Sequence, residues 1–269
     1  MKTGHLDLNT GKTLIAGILN LTPDSFSDGG NWEREGVLKC VERMIEEGTD
    51  MIDVGAESTR PGGTPVSEAE ELERLIPVLD AIRKHFDIYI SVDTYKPAVA
   101  KAAIEAGADM LNDISGLGYE NGKMAEVAAH YKVPIILMYN VNYPHDDQDE
   151  DLMKHINTVL FDIARTAMFA GVPEDNIILD PGVGFAGGTE NDLIILRNLE
   201  EIRSWGWPVM LGTSRKSVIG NTLKLPVDQR EEGTLVTTVL AAQAGIDIVR
   251  VHDVLKTRRA LDMMEVLLK

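Results

Sequence analysis

Residues 13–30 read TLIAGILNLTPDSFSDGG. The first seven are almost all apolar and do not alternate with polar residues, the pattern of a strand covered on both faces in a parallel sheet. The run stops at Asn20. A Thr-Pro, an Asp-Ser, a Phe, a second Ser-Asp and two glycines follow. A plain connection needs only a few turn formers, so this segment reads as one built to reach over something.

Seven further runs of the same kind occur at 51–54, 88–92, 110–112, 134–138, 177–180, 208–211 and 247–251. Amphipathic segments of helical length lie between them, at 33–47, 67–85, 97–106, 123–130, 151–170, 190–204, 231–244 and 255–268. Ser67 followed by Glu70 reads as a capping box. Four helices end on glycine (Gly48, Gly107, Gly171 and Gly245), as left-handed helix ends require. No low-complexity segment, short repeat or linker interrupts the series. Eight βα units in 269 residues predict an α/β fold, a (β/α)8 TIM barrel forming a single domain over 1–269. A doubly wound open sheet is the runner-up, but no Gly-x-Gly-x-x-Gly follows the first strand.

Composition narrows the class. Net charge is −17, which disfavours non-specific binding to nucleic acid or an anionic membrane. No apolar run reaches the ~18 residues of a membrane span, and the N-terminus lacks the apolar core of a secretory signal. The single cysteine, Cys40, excludes an internal disulfide framework and fits a reduced, cytoplasmic setting.

Active groups of such a barrel belong at the C-terminal strand ends. In order, those ends carry Asn20; Asp53 and Glu57 to Gly63; Asp93 and Thr94; Asn112 and Asp113; Tyr139 and Asn140; Asp180; Thr213 to Lys216; and Arg250, His252 and Asp253. All eight are polar, with apolar residues just before, which suits a mouth lined for a polar ligand. Asp93, Asn112 and Asp180 come from different strands. Carboxylates accept and an amide both donates and accepts, so the set suits a flat heterocycle with an amidine-like edge, such as a guanine or pterin. Capping is the competing role for Asp93 or Asp113. Arg60, Arg215, Lys216, Arg250 and His252 collect positive charge at the mouth of an acidic chain, which points to an anionic substrate. Ser214 is a ligand donor or a helix cap, and His252 taken alone reads as a structural imidazole. No nucleophile–base triad and no zinc-spaced cluster is present.

These residues carry a family pattern. GILNLTPDSFSDGG at 17–30, DVGAESTRPGG at 53–63, SVDT at 91–94, NDISG at 112–116, DPGVGF at 180–185, GTSRKS at 212–217 and RVHDV at 250–254 resemble, in order and over nearly the whole chain, the dihydropteroate synthases of folate biosynthesis, the targets of sulfonamides. The resemblance implies condensation of 6-hydroxymethyl-7,8-dihydropterin diphosphate with 4-aminobenzoate to 7,8-dihydropteroate and diphosphate. It implies pterin binding by Asp93, Asn112, Asp180 and Lys216. Asn20, Arg60, Arg250 and His252 take the diphosphate, with Mg²⁺ on Asn20. Thr59, Pro61, Phe185, Ser214 and Lys216 shape the aminobenzoate site, and Asp93, Lys216 and Arg60 carry the catalysis. It further implies that the 20–31 and 57–66 segments cover the site, and that the chain is a homodimer through its late helices, with Leu255, Leu261 and Leu267 leaving apolar surface.

Three positions depart from the family pattern: Tyr139 replaces a common His, Gly187-Gly188 a common Lys, and Val218 a common aromatic. The first two bear on the pterin floor or the rim, and the third on packing beside the aminobenzoate site. The alternatives are a catalytically silent pterin-binding paralogue and a pterin-dependent methyltransferase, the latter needing a corrinoid partner.

Overall fold

The computed structural model describes residues 7–8, 11–21, 34–57, 65–141 and 151–267. Eight strands appear where the apolar runs predict them: β1 (Leu14–Asn20), β2 (Met51–Gly55), β3 (Tyr89–Asp93), β4 (Met110–Asp113), β5 (Ile135–Met138), β6 (Ile177–Asp180), β7 (Met210–Leu211) and β8 (Ile248–Val251). All pair in parallel, in the order β6-β5-β4-β3-β2-β1-β8-β7. A parallel bridge between Leu179 and Val209 joins the two ends. The sheet therefore closes on itself as a (β/α)8 barrel.

The helices are α1 (Arg34–Glu46), α2 (Glu68–His85), α3 (Pro97–Glu105), α4 (Lys123–Tyr131), α5 (Leu152–Phe169), α6 (Thr189–Arg197), α7 (Leu199–Arg203), α8 (Ser217–Leu223), α9 (Glu231–Gln243) and α10 (Val254–Leu267). The segment expected to form one helix over 190–204 is two, broken at Asn198, whose backbone (φ −117°, ψ 28°) leaves the helical region. Helix α8 has no strong periodicity and was not expected. Only half of the capping box forms: the Ser67 hydroxyl accepts from Glu70 N at 3.3 Å, while the Glu70 carboxylate turns to Arg74. Leu261 is buried against the barrel, so of the three leucines named for an outer surface only Leu255 and Leu267 are exposed.

Side chains alternate across each strand, and this divides the core in two. Outward residues such as Ile15, Ile52, Ile90, Leu111 and Leu179 pack under the helices. Inward residues stack in layers. Leu14, Ala16, Met51, Met110, Ile136, Ile178, Met210 and Ile248, with Tyr89 against them, fill the lower barrel with apolar atoms. One inward position higher the same faces carry Asp53, Asn112, Asp180 and Arg250, while on β3 the buried Ser91 comes first and Asp93 stands above it. The floor is thus dry and the layer above it is ionic.

The lower rim contains a repeat that the sequence reading passed over. Gly-x-Asp recurs at 48–50, 107–109 and 245–247, each time entering a strand. In every copy the Asp accepts the backbone N–H of the neighbouring strand: Ile15 at 2.7 Å, Ile90 at 2.9 Å and Val209 at 2.8 Å. In every copy an arginine bonds both the glycine carbonyl and the Asp: Arg258 at Gly48 and Asp50, Arg83 at Gly107 and Asp109, Arg203 at Gly245 and Asp247. The copies share two residues over a three-residue span, too little for sequence alone to distinguish from chance.

Candidate active site

The polar layer converges because these inward positions on β2, β3, β4, β6 and β8 all turn to the barrel axis above the apolar floor. Arg250 on β8 donates Nε to Asp53 Oδ2 at 2.5 Å and Nη2 to Asp93 Oδ2 at 2.7 Å. Asn112 on β4 donates Nδ2 to the same Asp53 carboxylate, at 3.2 and 3.4 Å. Asp93 Oδ1 and Asn112 Oδ1 are buried and have no partner among the described residues. Two acceptors are therefore held desolvated, an arrangement that costs about 1–3 kcal/mol each until a donor arrives.

Asp180 ends β6, and its Oδ1 accepts Gly182 N at 2.8 Å. The DPGVGF turn then folds back over β5. At Gly182 (φ +75°) a Cβ would lie 2.0 Å from the Tyr139 carbonyl oxygen, so no other residue fits. At Gly184 (φ +89°) a Cβ would lie 3.0 Å from the Lys216 stem. This close approach admits the lysine to the barrel mouth. Lys216 Nζ bonds the Val183 carbonyl at 2.5 Å and lies 5.0 Å from the centre of the Phe185 ring. Ser214 Oγ and His252 Nδ1 are 2.9 Å apart, and the same hydroxyl accepts His252 N at 3.2 Å. Ser214 is thus tied to His252 rather than capping α8.

The electrostatics follow from burial. Asp93 is pushed up to about 7, first by burial and further by Asp53 and Glu71, against Arg250 and Lys216. Lys216 is pulled down to about 8, first by burial and further by Arg250, with Asp180, Asp192 and Asp93 opposing. Burial also raises Asp180. Burial alone would lower Arg250, but Asp53 and Asp93 carry it upward, so it keeps its charge. Acid and base are driven toward each other, as at many functional sites.

Not every strand-end group joins this cluster. Arg215 (φ +59°) turns away to Glu231 of α9, at 3.7 Å. Asp113 points outward and folds its own loop, accepting Ser115 N and Leu117 N. Asp253 accepts Lys256 N at the start of α10. Glu57 and Glu71 form a buried pair of acceptors for Lys96, at 2.5 and 2.6 Å. Lys96 also bonds the Val66 carbonyl at 2.6 Å, fixing both chain flanks of 58–64. Asn20 ends β1 half-buried. Thr59, Arg60 and Pro61 lie outside the described residues, as do 22–31 and 58–64 of the two segments expected to cover the site.

All three departures have structural readings. Tyr139 is buried in the outer core with its ring edge-on to His155, so the pleat turns it away from the pocket floor and Met138 takes the inward position. Val218 is buried on α8 within the same outer core. Gly187 and Gly188, both at positive φ, form the turn into α6. The sequence reading placed Asp53 at a strand end and gave it no role. Its signal was available: one carboxylate inside the apolar run MIDVG, in phase with the other inward polar positions.

Residues 16–252 match the model of the pterin binding enzyme family, which fits a barrel whose polar layer holds buried, unpartnered acceptors. The chain is 49% identical over its whole length to a dihydropteroate synthase of Clostridium beijerinckii, itself covered completely, and 48% identical to that of Bacillus subtilis over 96% of this chain and 89% of the relative. It superposes with a TM-score of 0.90 on a Clostridium difficile dihydropteroate synthase crystallised in the presence of pteroic acid, at 43% identity over 95% and 97% of the two chains. It does so equally, TM-score 0.90, on the Xanthomonas albilineans dihydropteroate synthase with 4-aminobenzoic acid, at 38% identity over 98% and 95%. The chain belongs to the dihydropteroate synthase family of pterin-binding enzymes.

Proposed function

We propose that this chain condenses 6-hydroxymethyl-7,8-dihydropterin diphosphate with 4-aminobenzoate, and that residues 1–269 act as one unit in doing so. The observation that carries this reading is the pair of buried, unpartnered acceptors Asp93 Oδ1 and Asn112 Oδ1, beside Asp180 and Lys216, in a chain of this family. The acceptors meet the N–H edge of a pterin. Lys216 Nζ meets its carbonyl oxygen. Arg250 and His252, with Arg60, take the diphosphate. Phe185, Ser214, Thr59 and Pro61 shape the aminobenzoate side.

The reaction is a dissociative displacement. The methylene C–O bond breaks and its electron pair leaves with diphosphate. The positive charge left behind spreads into the dihydropterin ring, where the Asp93 carboxylate stabilises it. The neutral amine of 4-aminobenzoate forms the new C–N bond and then loses a proton to solvent. No strong base is required, which agrees with the lack of a triad in the sequence.

Among the described residues no cluster of His, Cys, Asp or Glu could hold a metal by itself. A donor the reading places at the mouth is the Asn20 amide, a hard oxygen ligand. That suits Mg²⁺, which is commonly held by few protein groups together with substrate phosphates and water. When bound there by Asn20 and the diphosphate, Mg²⁺ supplies charge neutralisation to the leaving group.

The protein acts as a homodimer in the cytoplasm in this reading. Support for the dimer is the exposed apolar set Val236, Leu240, Met263 and Val266 on α9 and α10, which pack side by side.

The test is to mix protein, Mg²⁺, the dihydropterin diphosphate and 4-aminobenzoate and to follow diphosphate and dihydropteroate together. Equal amounts of both are expected. Pterin binding without either product would overturn the reading in favour of a silent paralogue.

A further inference from the structure

We infer that Asp53 is a positioning residue for both halves of the site: it sets which atom of Asn112 faces the mouth, and it seats Arg250. The inference rests on the pterin reading above. Asp53 is fully buried on β2, and the donors it meets stand on strands two places away on either side, β4 and β8. Its carboxylate has no proton donor to offer when ionised, so only the NH₂ end of the Asn112 amide can face it. The bonds at 3.2 and 3.4 Å to Nδ2 have this polarity. Asn112 is thereby obliged to present Oδ1, an acceptor, to the mouth, in line with the unpartnered Oδ1 of Asp93. The pocket's demand for a ligand edge rich in N–H groups is thus fixed by a residue below the ligand. The same carboxylate holds Arg250 Nε at 2.5 Å. That bond leaves the guanidinium spanning from Asp53 to Asp93, with its orientation set before any anion arrives.

A counter-charge for Arg250 alone would predict something different, and the two are separable by exchanging the residues. Arg250 and the nearer Asn112 contact share Asp53 Oδ2, so in Asp53→Asn the new amide keeps its oxygen there and its NH₂ takes the Oδ1 place, which lies 3.4 Å from Asn112 Nδ2 and sets two donors against each other. Asn112 then flips and offers a donor to the mouth. In the double variant D53N/N112D the NH₂ at 53 meets a carboxylate at 112, whose second oxygen again faces the mouth as an acceptor. Net charge is unchanged.

Binding of 6-hydroxymethylpterin and, separately, of inorganic diphosphate with Mg²⁺ is measured by calorimetry on wild type, D53N and D53N/N112D, with thermal melting of each. D53N is expected to lose pterin affinity about tenfold or more, the order of effect when a buried acceptor is replaced by a donor. The exchange variant is expected to recover pterin affinity to within about threefold of wild type, while diphosphate affinity stays weak in both variants. A wild type that binds no pterin overturns the functional reading itself, and this inference with it. A wild type that binds, together with a folded D53N that binds pterin equally well, overturns the inference alone. So does an exchange variant that fails to recover pterin binding for any cause, misfolding included.

Discussion

Replacing Arg83 with alanine is expected to destabilise the barrel strongly and leave its chemistry intact. Arg83 closes one copy of the lower-rim clamp. Its guanidinium donates to the Gly107 carbonyl at 3.0 and 2.6 Å, to the Ile88 carbonyl at 2.8 Å and to Asp109 at 2.5 Å. The pair is largely buried, with side chains 17% and 5% exposed. Removing one member of a buried pair strands the other and typically costs about 3–5 kcal/mol. Asp109 keeps its bond from Ile90 N, which holds the loss toward the lower end, about 3 kcal/mol. Arg203 makes the equivalent pair at 3.3 Å with its side chain 39% exposed, so Arg203→Ala should cost only about 1 kcal/mol. Urea unfolding followed by tryptophan fluorescence reads both. The rate constants at 25 °C should match wild type, because the clamp is at the end of the barrel opposite the polar layer. The reasoning fails if Arg83→Ala and Arg203→Ala lose the same stability, or if Arg83→Ala slows turnover while the protein remains folded.

Three other outcomes are expected. Asp93→Asn should cut turnover by about 100-fold or more and also alter the pH dependence of stability. Because Asp93 titrates near 7 when folded and near 3.8 when unfolded, the folded chain holds an extra proton between those values. Stability therefore falls as pH rises through that window, by up to about 1.4 kcal/mol per pH unit, and the variant should flatten the slope between pH 5 and 7 in urea titrations. The pH profile of kcat/KM should be a narrow bell, rising near 7 as Asp93 ionises and falling near 8 as Lys216 loses its proton; in Lys216→Arg the alkaline limb should move above about pH 10, and a limb that stays in place would assign it elsewhere. Val236→Asp, at a position 60% exposed, should convert a dimer to monomer in light scattering without lowering the melting temperature of the barrel; an unchanged mass would place the dimer surface elsewhere.

The sequence by itself determined the eight strands to within about two residues, the parallel sheet, the barrel and the family. These are local matters. A strand buried on both faces must be apolar throughout, helices must end where glycine permits a left-handed residue, and the strand-end motifs each fit in one short stretch. The sequence also named Asp93, Asn112, Asp180, Lys216, Arg250 and His252, because strand ends are countable once strands are known.

Only the tertiary structure decided which way each of these points and what it meets. The pleat alternates with every residue, so Asp53 enters the mouth while Tyr139 and Asp113, equally polar at neighbouring strand ends, turn outward. Arg250 looked like a free anion ligand in the chain, yet it lies between two carboxylates contributed by residues nearly 160 and 200 positions away. The Gly-x-Asp clamps needed arginines from helices 24 to more than 200 residues distant, and no local pattern records a partner chosen at that separation. Periodicity measures burial along one element, whereas ion pairing depends on closure of the barrel, which brings inward residues of different strands together on its axis.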